Sequence, residues 1–190
     1  MGTETSTGSG SELLILVDGD DREIGKLGKD ACHDGDGILH RAFSLFLFNE
    51  HGELLLQRRS KEKRLWPKYW SNTCCSHPRY GESMETATSR RLVEELNTAA
   101  RLEFIYKFEY QARFADRGSE NELCWVYLGR LGQEASANES EVAELRFVSA
   151  YDLNEEIDAV PERFTPWFRM EWQRLNEEFA DRLASYTNGP

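Results

Sequence analysis

The chain has 190 residues, 39% apolar and 12% aromatic, which is one domain's worth with enough length to bury a core and too apolar for a disordered chain. A formal net charge of −11 repels nucleic acid and anionic lipid at long range, so an anionic ligand needs a local cationic patch or a metal. No apolar run is long enough for a membrane-spanning helix.

The opening MGTETSTGSGSE lacks the basic and apolar regions of a signal peptide. It reads as a disordered polar tail over residues 1–12, although Gly2 and Ser6 also fit the loose N-myristoylation pattern. LLILV (13–17) predicts a strand, DGDD (18–21) a turn, and a Gly-rich segment follows. In RAFSLFLFNEHGELLLQRR (41–59) two apolar runs flank NEHG, which predicts a β-hairpin. A basic loop, RRSKEKRLWPK (58–68), comes next.

GESMETATSRRLVEELN (81–97) predicts a helix, with Met84, Thr88, Leu92 and Leu96 along one face. RLEFIYKFEYQARF (101–114) and ELCWVYLGRL (122–131) predict strands joined by a polar, acidic loop, and ELRFVS (144–149) a further strand. Ser149, with Asp152, caps a short helix to about Ile157. In the last helix Thr165 is the cap and Pro166 suits the first turn. Phe168, Trp172, Leu175, Phe179 and Leu183 form its apolar stripe, and Trp167 lies off it. The sum is one mixed α/β domain of the α+β type over residues 13–185, with antiparallel pairs rather than repeated βαβ units, and a flexible tail at 186–190.

Chemistry concentrates in a few places. The four cysteines, Cys32, Cys74, Cys75 and Cys124, form no CxxC, and with no export signal they read as reduced thiols in a cytoplasm. Cys75 and His77 stand at i and i+2, so in extended backbone they share a face; Cys74 points the other way, as a small core residue. Glu120 and Glu122 share a face in the same manner, and two such carboxylates repel unless a cation or proton lies between them. With His33, His40 and His77 they would suit Mn²⁺, Mg²⁺ or Zn²⁺. The same residues also read as ordinary histidines and solvated acids, and His51, in the hairpin turn, as solvated. Glu94 and Glu95 after Arg90 and Arg91 are either i,i+4 pairs on a solvated face or part of a metal-diphosphate site with Glu95 as ligand. QRRSKEKRLWPK (57–68), with six basic residues and one acid, is a possible cationic patch for that anion.

Together, ACHDGDGILHRAFSLFLFN, QRRSKEKRLWPKYWSNTCCSHP, GESMETATSRRLVEEL, SENELC and RFTPWF make the chain resemble the type I isopentenyl diphosphate:dimethylallyl diphosphate isomerases of the Nudix superfamily, from about residue 13 to 185. The resemblance implies a Nudix-like mixed β-sheet sandwiched between helices. It implies a metal site of His33, His40, His77, Glu120 and Glu122, a catalytic Cys75 and Glu122, and a helping Tyr110. It places diphosphate contacts on Lys29, Arg59, Lys63 and Arg91, a second Mg²⁺ on Glu95, and an active-site indole on Trp167. The implied reaction is a 1,3-proton shift through a tertiary carbocation on a C5 isoprenoid diphosphate.

Of the Nudix hydrolase helix signature, Glu82, Arg90, Leu92, Glu94 and Glu95 are kept; Ser76, Arg91 and Asn97 depart from it. Arg91 replaces a carboxylate that phosphate-hydrolysing members use, which weighs against the alternative, a pyrophosphohydrolase of a nucleoside diphosphate derivative. A non-catalytic metal-binding domain is the other alternative. Ser76 stands where the isomerases have Gly, so a positive φ there would strain the backbone. The acidic surface and lack of a coiled-coil repeat favour a monomer, with no nucleic-acid partner.

Overall fold

The computed structural model describes residues 12–188. In chain order it contains β1 (Leu13–Val17), β2 (Glu23–Gly28), the single-turn α1 (Lys29–Cys32), β3 (His40–Phe48), β4 (Leu54–Arg59), and the short β5 (Trp70–Ser71) and β6 (Cys74–Ser76). Then follow α2 (Met84–Leu96), β7 (Ala100–Arg113), β8 (Ser119–Leu131), β9 (Val142–Val148), α3 (Ala150–Ala159), α4 (Pro166–Glu178) and α5 (Ala180–Thr187).

The run AFSLFLF has almost no polar face, as expected of a strand covered on both sides. All of Ala42–Phe48 is buried. Phe43, Leu45 and Leu47 pack with Cys74 and with Ala87, Leu92 and Leu96 of α2. Ala42, Phe46 and Phe48 pack in the other cluster, with Phe168, Trp172 and Leu175 of α4 and Leu183 of α5. The sheet is mixed and lies between helices, as expected.

Strand β3 organises the sheet. One edge runs parallel to β8, from His40 opposite Glu122 to Phe48 opposite Arg130. Its other edge is shared by β1 at His40, by β6 at Phe43–Leu45 and by β4 at Phe48. The 41–59 segment is therefore not a laddered hairpin. β3 and β4 meet only at Phe48–Leu54, and β4 then pairs with β9. A hairpin pattern specifies two strands and a turn but not the partners that longer ladders supply.

Other elements add to or depart from what was expected. The Gly-rich segment after the first turn forms β2, paired with β1, and then α1. The last helix is two helices, because Phe179 leaves helical geometry between them (φ −127°, ψ 28°) while its ring stacks on Tyr106 at 4.8 Å. That second helix runs to Thr187, into the expected flexible tail. Thr165 sits at the N-cap position but its side chain makes no capping bond, forgoing about 1 kcal/mol. Ser83 and Ser149 do cap α2 and α3, accepting from Thr86 N at 3.2 Å and Asp152 N at 3.1 Å. Residues 1–11, with Gly2 and Ser6, and residues 189–190 lie outside the described part. No helix among the described residues is long and apolar enough to cross a membrane.

Candidate active site

The parallel β3–β8 ladder sets His40 beside Glu122, and the antiparallel β7–β8 ladder sets Tyr110 opposite Glu122. His77 follows β6, and His33 follows α1. Four of these elements, α1, β3, β6 and β8, bring His33, His40, His77, Glu120 and Glu122 into one buried group whose ligand atoms all lie within 4.8 Å of one another. The i, i+2 spacing of the two glutamates puts both on this face.

The donor set fits a divalent ion. His40 Nδ1 lies 2.7 Å from the Ile38 carbonyl and His33 Nδ1 lies 2.6 Å from the Lys29 carbonyl. A carbonyl only accepts, so both Nδ1 atoms carry protons and the Nε2 atoms are left for the cluster. His33 Nε2 is 2.9 Å from Glu120, and His77 Nε2 is 2.8 Å from Glu122. His40 Nε2 is buried with no hydrogen-bond partner, 3.8 Å from Glu122. A buried acceptor left unpaired is costly, and a cation satisfies it.

Beside this group is a cavity of about 120 Å³. Cys75, Tyr110 and Trp167 line it together with Glu120, Glu122 and the basic residues Lys29, Arg59, Lys63 and Arg91. Cys75 and His77 both face it, as their spacing requires; Cys74 is fully buried on the opposite side, against α2. All four cysteines are free.

The chain matches the NUDIX domain family over residues 38–168. It is 39% identical over 175 residues to isopentenyl-diphosphate Delta-isomerase 1 of Photorhabdus laumondii, covering 91% of this chain and 99% of that one. It is 41% identical over 173 residues to isopentenyl-diphosphate Delta-isomerase of Burkholderia multivorans, covering 91% and 98%. This chain belongs to the NUDIX isopentenyl-diphosphate Delta-isomerase family. A MutT NUDIX hydrolase from Burkholderia pseudomallei has the same fold at a TM-score of 0.57, 20% identical, over 71% of this chain and 96% of that one. At that identity the likeness bears on fold alone.

Within this isomerase family site, the basic wall is already partnered. Lys29 is 3.2 Å from Glu12, Lys63 pairs with Glu141, and Arg91 pairs with Glu95, with Glu94 at 2.8 Å and with Glu141 at 3.5 Å. Arg59 has no carboxylate partner among the described residues. It donates to the carbonyls of Trp66 (3.1 Å) and Leu65 (2.9 Å), comes within 3.9 Å of Cys75 Sγ, and lies 5.2 Å from the centre of the Trp167 ring. Glu95 does not line the cavity. It is 1% exposed, bound to Arg91 and, at 3.1 Å, to Gln57. The Arg91–Glu95 pair is thus buried, not on a solvated helix face.

Burial pushes the Cys75 thiol up to about 12, against the lowering charge of Arg59, so sulfur carries its proton at neutral pH. Burial, reinforced by the charge of Glu120, pushes Glu122 well above the carboxylate range. Burial also opposes ionisation of Glu120, but a proton on His33 Nε2, where a metal ion would otherwise sit, bonds and charge-pairs with it and holds the carboxyl at about 2. Burial lowers His40 to about 4, leaving a neutral imidazole with a free lone pair.

Ser76 is not strained. It lies within β6, outside the positive-φ residues. The basic loop has left-handed residues instead at Trp66 (φ 44°) and Lys68 (φ 68°), and Arg59 donates to the Trp66 carbonyl. Sequence reasoning passed over Asp30, Arg64, Leu65 and Ser76 as cavity lining, and Glu141 as the partner of two basic residues. Glu141 carried no local signal, since its partners come from another loop and from α2.

Proposed function

We propose that this NUDIX isomerase interconverts isopentenyl and dimethylallyl diphosphate by a 1,3-proton shift. The observation that carries the reading is the presence of Cys75, Glu122, Tyr110 and Trp167 on one small cavity that also abuts the His₃Glu₂ group and a basic wall. Of Cys75 and Glu122, one gives a proton to the terminal carbon and the other removes a proton from C2, so the double bond moves and no atom is lost. The donor to an unactivated alkene must hold its proton, as the buried Cys75 thiol does at neutral pH, and the partner must be ionised to take the proton from C2. Tyr110 holds Glu122 through its phenol. The Trp167 π face stabilises the tertiary cation by about 2 kcal/mol in a dry site.

Lys29, Arg59, Lys63 and Arg91 receive the diphosphate. His33, His40, His77, Glu120 and Glu122 would hold one divalent ion, Mn²⁺, Mg²⁺ or Zn²⁺, and Glu95 a Mg²⁺ that accompanies the diphosphate. When bound, these ions orient Glu122, set its proton affinity and offset the diphosphate charge. Glu95 itself is buried against Arg91 and Gln57, so it would hold that ion only if Arg91 turned from it towards the diphosphate.

Arg91 also weighs against the hydrolase alternative. It places a guanidinium, held by Glu94 and Glu95, where that chemistry uses a carboxylate. The same reading places a monomer in the cytoplasm, where a reducing environment keeps four free thiols. The test is incubation with isopentenyl diphosphate and Mg²⁺, followed by NMR. Appearance of dimethylallyl diphosphate supports the reading; phosphate release without isomerisation overturns it.

A further inference from the structure

Between Trp167 and the backbone that carries Cys75 lies a polar chain inside the apolar core. The Trp167 indole Nε1 donates to Ser71 Oγ at 3.1 Å. Ser71 Oγ donates to Asn72 Oδ1 at 2.9 Å and lies 3.0 Å from Thr165 Oγ1. A hydroxyl has one proton and two acceptor sites. With the Ser71 proton given to Asn72, Thr165 is the donor to Ser71. The Asn72 amide then donates to the Cys74 carbonyl at 2.9 Å and to the Leu45 carbonyl at 3.3 Å. Ser71, Asn72 and Thr165 are all 0% exposed.

Every hydrogen-bonding position of the Ser71 hydroxyl and both donor hydrogens of Asn72 are therefore filled. Networks satisfied to this degree specify one arrangement, because any other leaves a buried polar group unpaired. Thr165 supplies a second sign. It stands at the N-cap of α4 but makes no cap bond, its hydroxyl being 3.0 Å from Ser71 instead. A local rule broken without local gain marks a site with another duty.

The Cys74 carbonyl belongs to the peptide bond whose nitrogen is that of Cys75. The chain from indole to this peptide thus joins two residues that line the cavity. Packing restrains the Trp167 ring through Trp66, edge-on at 5.2 Å and 90°, through Tyr110, tilted at 6.4 Å, and through Arg59, 5.2 Å from its centre. None of these contacts engages the indole N–H, which only Ser71 accepts among the described residues. We infer that Ser71, through Asn72 and Thr165, is a positioning residue that fixes the Trp167 indole relative to the Cys75 thiol, so that ring and thiol meet the same five-carbon unit. The inference rests on the isomerase roles proposed above for Trp167 and Cys75.

A double-mutant cycle in the full-length, metal-loaded enzyme tests it. Trp167→Phe alone should lower kcat by at least about tenfold, and an unchanged kcat would overturn the role of Trp167 and this inference with it. Ser71→Ala should lower kcat by about 10- to 100-fold, since displacements near 1 Å at a reacting centre have costs of that order. KM should stay within about twofold, because the basic wall is untouched. Ser71→Thr, which keeps the hydroxyl, should restore kcat to within about threefold of the parent. In the Trp167→Phe background, which lacks the N–H, Ser71→Ala should cost less than about threefold. An equal loss in both backgrounds, or a loss confined to KM, would overturn the positioning role while leaving the isomerase reading intact. If Ser71→Ala does not fold, Thr165→Val removes one donor to the same oxygen at constant volume and runs through the same cycle with the same two outcomes.

Discussion

Tyr110 and Glu122 are direct register partners on the β7–β8 ladder, and the phenol donates a 2.6 Å hydrogen bond to Oε2 of that carboxyl. The other oxygen, Oε1, lies 2.8 Å from His77. One glutamate thus has one oxygen on the metal-binding group and the other on a proton donor. Tyr110→Phe should lower kcat by roughly 10- to 100-fold with KM changed by less than about twofold, because it alters proton transfer and not diphosphate binding. Steady-state kinetics on isopentenyl diphosphate checks this, and an unaltered kcat removes Tyr110 from the mechanism.

The adjacent cysteines should behave in opposite ways. Cys75 lines the cavity, whereas Cys74 is fully buried against α2. Cys75→Ala should reduce turnover on the order of 10²–10⁴-fold or more with little change in melting temperature. Cys74→Ala should keep most of the turnover and lose about 1 kcal/mol of stability through the small cavity it opens. Near-normal isomerisation by Cys75→Ala would refute its role.

Gly118 supports the metal group from behind. Its φ is 134°, and an added Cβ would lie 2.3 Å from the His33 carbonyl oxygen, which accepts from Ser119 N at 3.0 Å. Gly118→Ala should displace His33 and lower the metal retained after dialysis, and activity should fall in step. Gly35 is also left-handed (φ 59°) but an added Cβ there meets nothing within 4 Å, so Gly35→Asn is the control and should keep its metal. Metal analysis of the purified variants decides; equal metal content in both would show that His33 tolerates the shift.

Glu141 occupies the basic wall that the substrate's diphosphate is proposed to use, pairing with Lys63 and reaching Arg91 at 3.5 Å. Burial opposes its ionisation, but the charge and hydrogen bond of Lys63 outweigh this and hold the carboxyl at about 2, so it is anionic at any working pH. Glu141→Gln should release Lys63, leave Arg91 paired with Glu94 and Glu95, and lower KM several-fold. A higher KM would mean that Glu141 holds Lys63 and Arg91 in place for the substrate instead of competing with it.

Glu171 of α4 is fully buried, with Oε1 3.4 Å from Cys124 Sγ and Oε2 without a partner. Burial raises its carboxyl to about 8, against the lowering hydrogen bonds from Ser44 and Cys124. The folded chain therefore holds a proton that the unfolded chain releases near the usual carboxylate value, so stability falls as pH rises between about 4.5 and 8. Glu171→Gln, which mimics the protonated acid, should remove that slope. It should be more stable than the parent at pH 8 by on the order of a few kcal/mol, and nearly equal to it at pH 4.5. Urea titrations at the two pH values check this; parallel pH profiles would show that Glu171 is ionised in the fold.

What the sequence determined is what local chemistry decides. Strands β1, β3, β7, β8 and β9 and helices α2 and α3 are legible because apolar period, cap residues and turn residues act over a few positions. So are the shared faces of Cys75 with His77 and of Glu120 with Glu122, since an extended chain repeats every two residues. The five-ligand set was one of two open readings of those residues, and the resemblance selected it and supplied the catalytic roles. Only the tertiary structure decided that β3 pairs in parallel with β8, which brings His40 to Glu122, and that the expected hairpin opens towards β9. Only it broke the last helix at Phe179, drew the Thr165 hydroxyl from its cap to Ser71, and paired Glu141 with Lys63. Each of these depends on partners distant in sequence. Local preferences do not choose among such partners; the choice is made by which arrangement buries the apolar faces and leaves the fewest polar groups unpaired.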